Sequence, residues 1–414
     1  MTWGSATVQP GDDAGGLRPA HRLLLAQVLD RPAEDGRHAL DAMASGERQA
    51  FVDAARHHFV SALVLDRLGG ARQPGDGRET LRRLALDAGK TARRSLLIAA
   101  TLGELHRDHL APLAIDYVTF KGVSLASRYY GQLALRACRD LDLLVDRRAI
   151  PALTRRLLDA GFTFAENYAP QPGSGPLGDY IDAVAYLTSE FTLVSPAGVL
   201  VEIHSRLDLT GPGFTPVRLL AHADRCEMSG TGIPVLPTGV LFPYICYHHS
   251  RHRWSRLHWL ADLTAMMRHP SFDAAEARRQ GRRMGLGRLV EGCMALPDAL
   301  QARLEGAPPD ARSGVLPQLA TFCWTYTDPA VPPPETIRVA AEEDPRARMR
   351  ERLSNTAWDF LARDTLLLKV ITGLTQLRPH LPDYTAFPLP RRLHAVYWAT
   401  RPFRLLRKAA ERRA

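Results

Sequence analysis

Two aspartates separated by one leucine are the residues of this chain whose type and spacing most directly suggest chemistry. Asp140 and Asp142 belong to residues 115–145, which are predicted to form a strand, a tight turn, a short helix, a loop and a second strand. Side chains alternate between the faces of a strand, so both carboxylates project from the same face of the second strand, about 7 Å apart. Carboxylates placed in this way repel unless a cation lies between them. The spacing therefore predicts a metal site.

A third acid is predicted to project from a neighbouring strand. Residues 198–208 (GVLVEIHSRLD) alternate in polarity, which places Val201 and Ile203 on one face and Glu202 and His204 on the other. Glu202 is thus a third carboxylate within the same compact α/β region.

The turn after the first strand has the composition of a phosphate contact. Lys121 and Gly122 follow the strand predicted at residues 114–120 and open a short helix. Glycine lets backbone N–H groups approach a ligand, and the N-terminus of a helix favours anions. Three acids on neighbouring strands after such a turn suit metal-dependent nucleotidyl transfer. In that reaction divalent ions hold the nucleotide phosphates and lower the pKa of the attacking hydroxyl.

The elements around these strands are predicted to be mainly helical. Apolar residues recur at helical spacing through the first hundred residues and again from residue 240 onward. Further strands are predicted at 162–168 and 183–193, and a late helix at 344–372. The predicted fold class is α+β, with a small mixed β-sheet core flanked by N- and C-terminal helical regions. The predicted divisions are a disordered tail (1–19), an N-terminal helical region (20–110), an α/β core (111–225), a C-terminal helical region (226–385) and a basic amphipathic C-terminal helix (386–414).

Composition excludes several classes of protein. The chain has 414 residues, is 45% hydrophobic and 23% charged, and has no uninterrupted apolar run of transmembrane length. Its N-terminus has no signal-peptide pattern. Five scattered cysteines, none in a CxxC pair, argue against a disulfide framework or a thiolate zinc site and favour a reducing cytoplasm.

The net charge of +9 is concentrated at one end of the chain. Residues 391–414 contain eight Arg and Lys residues against Glu411, which leaves only +2 for the remaining 390 residues. The basic C-terminal segment is predicted to be helical with a kink or break at Pro402. It could contact an anionic surface or RNA, although docking of its apolar side on the preceding helices is favoured.

Three stretches together resemble a known family. The order FKGVSL (120–125), RACRDLDLLV (136–145) and VEIH (201–204) resembles the polymerase-beta-type nucleotidyltransferase superfamily. More narrowly, it is similar to the bacterial uncharacterised nucleotidyltransferase family. The stretch RWSRLHWLADL (253–263) also resembles a pattern of that family. With the leading helices included, the resemblance extends over residues 20–405.

The resemblance implies an NTP as substrate, Mg²⁺ or Mn²⁺ as cofactor and a role for each matching residue. Metal ligation is expected of Asp140, Asp142 and Glu202, with Glu202 as third ligand or base. The residues expected to bind the nucleotide and its phosphates are Lys121, Gly122, Ser124 and Arg136. Arg136 could equally steady the aspartate strand. Family members often lie near biosynthetic genes, which suggests a modifying role; the acceptor itself is unidentified, a hydroxyl of a small molecule, peptide or protein, or a phosphate.

Two other functions stay open at this stage. The wider superfamily has a Gly-Ser pair at the first turn, whereas here Ser124 follows Gly122 by two residues. That departure favours a non-catalytic binding or scaffold protein. A toxin-like tRNA nucleotidyltransferase would use the same acids, but nucleic acid is not the favoured partner, because the strongest basic cluster lies at the far terminus. His248 and His252 are spaced like a zinc pair, but no HExxH motif accompanies them.

Overall fold

The computed structural model describes residues 16–30, 33–70, 77–207, 216–228, 230–308, 315–332 and 357–411. The chain divides into two compact units, each built from separate stretches of sequence. The first, here called the helical unit, comprises Met1–Leu96, Leu125–Cys138 and Thr238–Thr365. The second, the sheet unit, comprises Leu97–Ser124, Arg139–Pro237 and Leu366–Ala414.

The helical unit consists of amphipathic helices whose apolar positions recur every three or four residues. Its α-helices are Pro19–Val28, Ala33–Ala42, Ser45–His57, Ser61–Arg67, Thr238–Arg251, Leu257–Arg268, Ala274–Arg283, Gly287–Leu304 and Val315–Tyr326, with a 3₁₀ turn at Leu133–Leu135. Leu24, Phe51 and Leu260 have no exposed surface and typify its core. Two further helices, Arg78–Glu104 and Val123–Tyr130, carry the chain from one unit into the other.

The sheet unit contains a seven-stranded mixed sheet with the strand order β3-β4-β5-β2-β1-β7-β6. Its strands are β1 (Tyr117–Thr119), β2 (Asp140–Val145), β3 (Thr163–Phe164), β4 (Glu190–Val194), β5 (Leu200–His204), β6 (Asp224–Met228) and β7 (Thr231–Val235). Its α-helices are Ile150–Asp159, Leu177–Leu187, Pro216–Ala221, Leu366–Leu374, Leu381–Ala386 and Val396–Glu411. A π-helix covers Leu105–Leu110, and 3₁₀ turns cover Glu166–Tyr168, Thr375–Leu377 and Arg391–Leu393.

The middle of the sheet brings the predicted acids together. Strand β2 lies between β1, to which it is antiparallel, and β5, to which it is parallel. In this register Asp142 lies opposite Glu202. Leu141 and Leu143 alternate with the aspartates and therefore lie on the opposite face of β2, and the strand is almost fully buried on both faces from Leu141 to Val145.

The α+β fold class is confirmed, but both further strands were partly wrong: in the segment predicted at 162–168 only β3 is a strand, and Glu166–Tyr168 forms a 3₁₀ turn. Residues 183–187 belong to the helix Leu177–Leu187, and only β4 is a strand in the segment predicted at 183–193. The apolar spacing of that helix is helical, since Tyr180, Ile181 and Val184 are all buried. The C-terminal helix Val396–Glu411 continues through Pro402.

Parts of other predictions lie outside the described residues. These are most of the tail predicted at 1–19 and most of the helix predicted at 344–372. The five-part division of the chain stays a prediction. In the described part of the chain, none of the helices combines the length and apolar character needed to cross a bilayer.

Candidate functional site

The side chains that face one another across β2 and β5 form a group suited to metal binding. Ligand atoms of Asp142, Glu202 and His204 all lie within 4.8 Å of one another. Among the residues that the structure describes, this is the one group of three or more His, Cys, Asp or Glu side chains with such geometry. The histidine pair His248 and His252 belongs to no such group there.

Asp142 is the most buried of these acids, and one of its oxygens has no partner. Its side chain is 1% exposed, and its Oδ1 lies 2.7 Å from Lys121 Nζ and 3.2 Å from His204 Nε2. Within the described residues, no hydrogen-bond donor reaches Oδ2, although that atom is buried. Burial by itself would raise the pKa of Asp142, but the Lys121 ammonium and His204 outweigh it and hold the pKa below its usual range. The carboxylate is therefore ionised.

His204 lies among three carboxylates. Its Nδ1 is 3.2 Å from Glu190 Oε2, and its Nε2 is 3.2 Å from Asp142 Oδ1 and 3.5 Å from Glu202 Oε2. Phe120 packs edge-on against the imidazole, with the ring centroids 5.1 Å apart. Burial lowers the pKa of His204, but hydrogen bonds to the carboxylates raise it well above the usual value. His204 is thus a buried imidazolium.

Asp140 lies close enough to the other carboxylates for their charges to affect it. Burial, followed by the neighbouring charges of Asp142 and Glu202, raises its pKa to about 6, although Lys121 and Arg139 oppose the increase. Its carboxylate is not one of the three groups within 4.8 Å of one another. The predicted set Asp140, Asp142 and Glu202 therefore shares an electrostatic environment, and His204 joins the closest group.

The charges of this region do not cancel. We use the name acid cluster for the carboxylates Asp140, Asp142, Glu190 and Glu202 together with the cations Lys121 and His204. Four carboxylates thus face the two cations of the cluster, with Arg139 as a further positive charge acting on Asp140, so negative charge is in excess and a bound cation would offset it. Carboxylate oxygens are the ligands that Mg²⁺ and Mn²⁺ prefer, whereas the protonated imidazole of His204 has no free lone pair for a metal. The buried Oδ2 of Asp142 has no hydrogen-bond partner among the described residues and is an available ligand, so the carboxylates of the cluster fit a divalent ion.

The Lys121-Gly122 turn is held directly against the aspartate strand. Gly122 has φ +55°, a left-handed conformation that favours glycine, and a Cβ at this position would lie 3.1 Å from the Asp140 carbonyl oxygen. Both the conformation and the close contact therefore favour glycine at this position. Ser124 is buried, and its hydroxyl donates a hydrogen bond of 2.8 Å to the Lys121 carbonyl oxygen. In this structure that hydroxyl stabilises the turn.

Arg136 belongs to the helical unit and has a carboxylate partner there. Its Nε and Nη2 donate to Asp262 Oδ1 and Oδ2 at 2.7 and 2.8 Å. Tyr130 donates to the same Oδ1 at 2.8 Å, and His249 Nε2 lies 3.4 Å from Oδ2. Burial opposes the charge of Arg136, but Asp262 raises its pKa well above the usual value. Arg136 begins the stretch 136–145 and Asp262 lies in the stretch 253–263, so both members of this buried ion pair belong to the stretches that carry the resemblance.

Sequence reasoning found most of the acid cluster and missed one member. Glu190 was not singled out, because a lone glutamate before an apolar run carries no motif. The register of the sheet places it opposite His204. Predicting Glu190 therefore requires the pairing of β4 with β5. His204 was noted as a motif position without a role, and its contacts now show that it links three carboxylates.

Fold and site together define a class of protein, and comparison with known families identifies the family. An α+β chain whose mixed sheet presents carboxylates beside a glycine turn has the arrangement expected of a nucleotidyltransferase. A family model described as "Uncharacterised nucleotidyltransferase" matches residues 45–301, more than half of the chain. The chain belongs to this family. A search of curated proteins found no match.

Proposed function

We propose that this protein transfers a nucleoside monophosphate from an NTP to an acceptor hydroxyl and releases pyrophosphate. The observation that carries the proposal is the buried Oδ2 of Asp142, which has no donor in the described part of the chain. It lies in a cluster with excess negative charge, in a chain of a nucleotidyltransferase family. In the reaction the acceptor oxygen bonds to the α-phosphorus, the bond to pyrophosphate breaks, and the proton of the hydroxyl passes to Glu202 or to water.

The metal ligands in this proposal are Asp142 and Glu202, with Asp140 completing the set. A bound Mg²⁺ or Mn²⁺ would supply charge neutralisation at the nucleotide phosphates and would lower the pKa of the attacking hydroxyl. Lys121 and His204 keep Asp142 ionised and hold it in place. Glu190 holds the opposite side of the imidazole, which fixes the ring orientation.

The phosphate contacts in this proposal come from the turn between β1 and the following helix. Lys121 is a cation beside the acids, and Gly122 lets the backbone approach an anion where the helix Val123–Tyr130 begins. Ser124 supports the turn through the Lys121 carbonyl. Nucleotide binding by Arg136 stays a prediction, as does a cytoplasmic location, where the NTP substrate would be available.

Incubation with each α-labelled NTP tests the proposal. The protein is incubated with Mg²⁺ or Mn²⁺ and host lysate, and the labelled acceptor is then identified. Asp142→Asn should reduce labelling by at least about a hundred-fold, since it removes an ionised ligand needed in the transition state. Asp146→Asn is the matched control, because Asp146 follows β2 and bonds to Arg148 outside the acid cluster. Equal labelling by wild type and Asp142→Asn would show that the acids do not carry the reaction.

A non-catalytic binding protein is the second candidate, and one observation favours it. Lys121 Nζ lies 2.7 Å from Asp142 Oδ1, so a side-chain cation already neutralises part of the acid cluster. Isothermal titration with each NTP and Mg²⁺ distinguishes the two functions. Binding without transfer, unchanged in Asp142→Asn, would support the scaffold function. Labelled tRNA from the lysate would instead support the toxin-like alternative.

A further inference from the structure

Three arginines of the sheet unit converge on one cavity, and its described lining residues include no acid. A cavity of ≈ 290 Å³ is lined by Arg147, Arg206 and Arg378. Arg147 follows the end of β2, Arg206 follows the end of β5, and Arg378 follows the 3₁₀ turn Thr375–Leu377. We use the name arginine pocket for this cavity. None of its arginines belongs to the acid cluster.

The arginines lack carboxylate partners in the part of the chain that the structure describes. Arg147 Nη2 and Arg206 Nε are buried nitrogen atoms with no hydrogen-bond acceptor among the described residues. Asp146, which directly precedes Arg147, is engaged by Arg148, with Oδ1 and Oδ2 each 3.0 Å from a guanidinium nitrogen. Desolvated guanidinium groups are normally paired with carboxylates or bind anionic ligands. The unpaired donors therefore point to a ligand.

The positive charges of these arginines also repel one another, which lowers the pKa of Arg147 and of Arg378. Burial, followed by the charges of Arg206 and Arg147, lowers the pKa of Arg378 to about 10. The pKa of Arg147 is lowered by burial first and then by Arg206. Mutual repulsion of this kind is relieved when a multiply charged anion binds between the cations.

The remaining walls of the pocket are apolar and aromatic. Ile371 and Leu374 come from the helix Leu366–Leu374, while Tyr186 and the half-exposed Trp398 add aromatic faces. The Tyr186 ring also lies 6.0 Å from the Arg147 guanidinium. A phosphate group would take only part of the cavity volume, and these side chains would contact an apolar or aromatic group attached to it.

We propose that the arginine pocket binds a phosphate monoester that carries an apolar or aromatic group. A phosphate dianion presents several acceptor oxygens, and guanidinium groups donate to such oxygens in fixed, bidentate geometry. The ligand is either a soluble phosphate ester or the phosphate headgroup of a lipid. The site is separate from the acid cluster and stands independently of nucleotidyl transfer.

Binding is measured without NTP and with EDTA, so that the acid cluster and metals do not contribute. Isothermal titration with inorganic phosphate and phenyl phosphate, at constant ionic strength with chloride as the balancing ion, tests the soluble source. Sedimentation with phosphatidylcholine vesicles, with and without phosphatidic acid, tests the lipid source. We expect tighter binding of phenyl phosphate than of inorganic phosphate, because only the former has a group for the apolar wall.

Arg206→Gln and Arg378→Gln should each weaken binding of the preferred probe by about ten-fold or more, since each removes charge-assisted hydrogen bonds. Arg148→Gln is the matched control, because Arg148 is 85% exposed and pairs with Asp146 outside the pocket. Without ligand, Arg206→Gln should keep or raise the melting temperature, since it removes repulsion; a purely structural arginine would lower it. Vesicle binding alone, lost in Arg206→Gln, would identify the lipid source. Absence of binding to every phosphate probe, or equal binding by both pocket variants and wild type, would overturn the proposal.

Discussion

The two buried carboxylates Asp262 and Asp142 differ in how their oxygens are satisfied. In the helical unit, Asp262 Oδ1 accepts from Arg136 and Tyr130, and Oδ2 accepts from Arg136. In the sheet unit, Asp142 Oδ1 contacts two cations, while the buried Oδ2 has no partner among the described residues. Buried polar atoms in folded proteins are nearly always hydrogen-bonded. We call a carboxylate closed when both oxygens are hydrogen-bonded, as in Asp262, and open when one oxygen has no partner among the described residues, as in Asp142. A closed carboxylate indicates a structural role, and an open one indicates a place for a ligand.

The largest expected effect on stability comes from breaking the ion pair between Arg136 and Asp262. Asp262→Asn removes the charge that compensates Arg136, whose guanidinium is buried, so the helical unit should lose about 3–5 kcal/mol of stability. Urea unfolding, followed by circular dichroism, measures the change. Glu291→Gln is the control, because Glu291 and Arg278 form an exposed pair at 3.0 Å that should contribute less than about 1 kcal/mol. Equal small losses in both variants would show that the Arg136–Asp262 pair is not closed as described.

The open carboxylate, Asp142, should instead make the stability of the protein depend on a bound metal ion. Mg²⁺ or Mn²⁺ at a hundred-fold excess over its Kd should stabilise the wild-type protein by about 2.7 kcal/mol. Asp142→Asn should lose most of this increase because it removes an ionised ligand, and Asp146→Asn should retain it. Thermal unfolding with and without each metal, and again after EDTA, provides the measurement. An undiminished shift in Asp142→Asn would place the metal elsewhere.

The pH dependence of stability should also differ between the two units, with a smaller effect, because each contains a buried histidine with a shifted pKa. In the helical unit, His58 accepts from the Leu257 N–H through Nδ1, which leaves Nε2–H to donate to the Thr327 carbonyl. Burial, followed by the neighbouring charge of His57, lowers the pKa of His58 to about 3. Below about pH 6.5 the unfolded chain therefore binds a proton at His58 that the folded chain does not bind. Stability is lost as the pH falls towards 3.

His58 alone should reduce stability by about 1.4 kcal/mol for each pH unit below 6.5. His204 has the opposite sign: its pKa is raised, so its contribution is present at low pH and is lost as the pH rises through the folded-state value. Urea midpoints between pH 5 and pH 7 test this, with His58→Gln as the variant that keeps a donor and an acceptor. A pH slope unchanged in His58→Gln would contradict the assignment.

Local sequence patterns predicted the central strands well because alternation is a local property. The DLDLLV pattern placed Asp140 and Asp142 on one face, and β2 has that arrangement. The same reasoning failed at residues 183–187, where a short apolar run fits a strand or a buried helix equally. Only packing decides between those two outcomes.

The residues of the candidate site that belong to a sequence motif were predictable. Those that reach the site only through the pairing of strands were not. The sequence brought Lys121, Asp142 and Glu202 to attention, and the family membership agrees with the resemblance on which their proposed roles rest. Glu190 enters only because β4 pairs with β5. Arg136 was expected at the nucleotide or the aspartate strand; nothing in its local sequence revealed the buried bond to Asp262.

The sequence by itself determined the family, the α+β class and the identity of the strand that carries two aspartates, since these depend on order and periodicity along the chain. Tertiary structure decided which oxygens are satisfied and which are left open. It alone joins Asp142, Glu202 and His204 into one group, and it alone brings Arg147, Arg206 and Arg378 to one cavity. The physical reason is that charge compensation depends on distances between residues far apart in sequence, which no local pattern encodes.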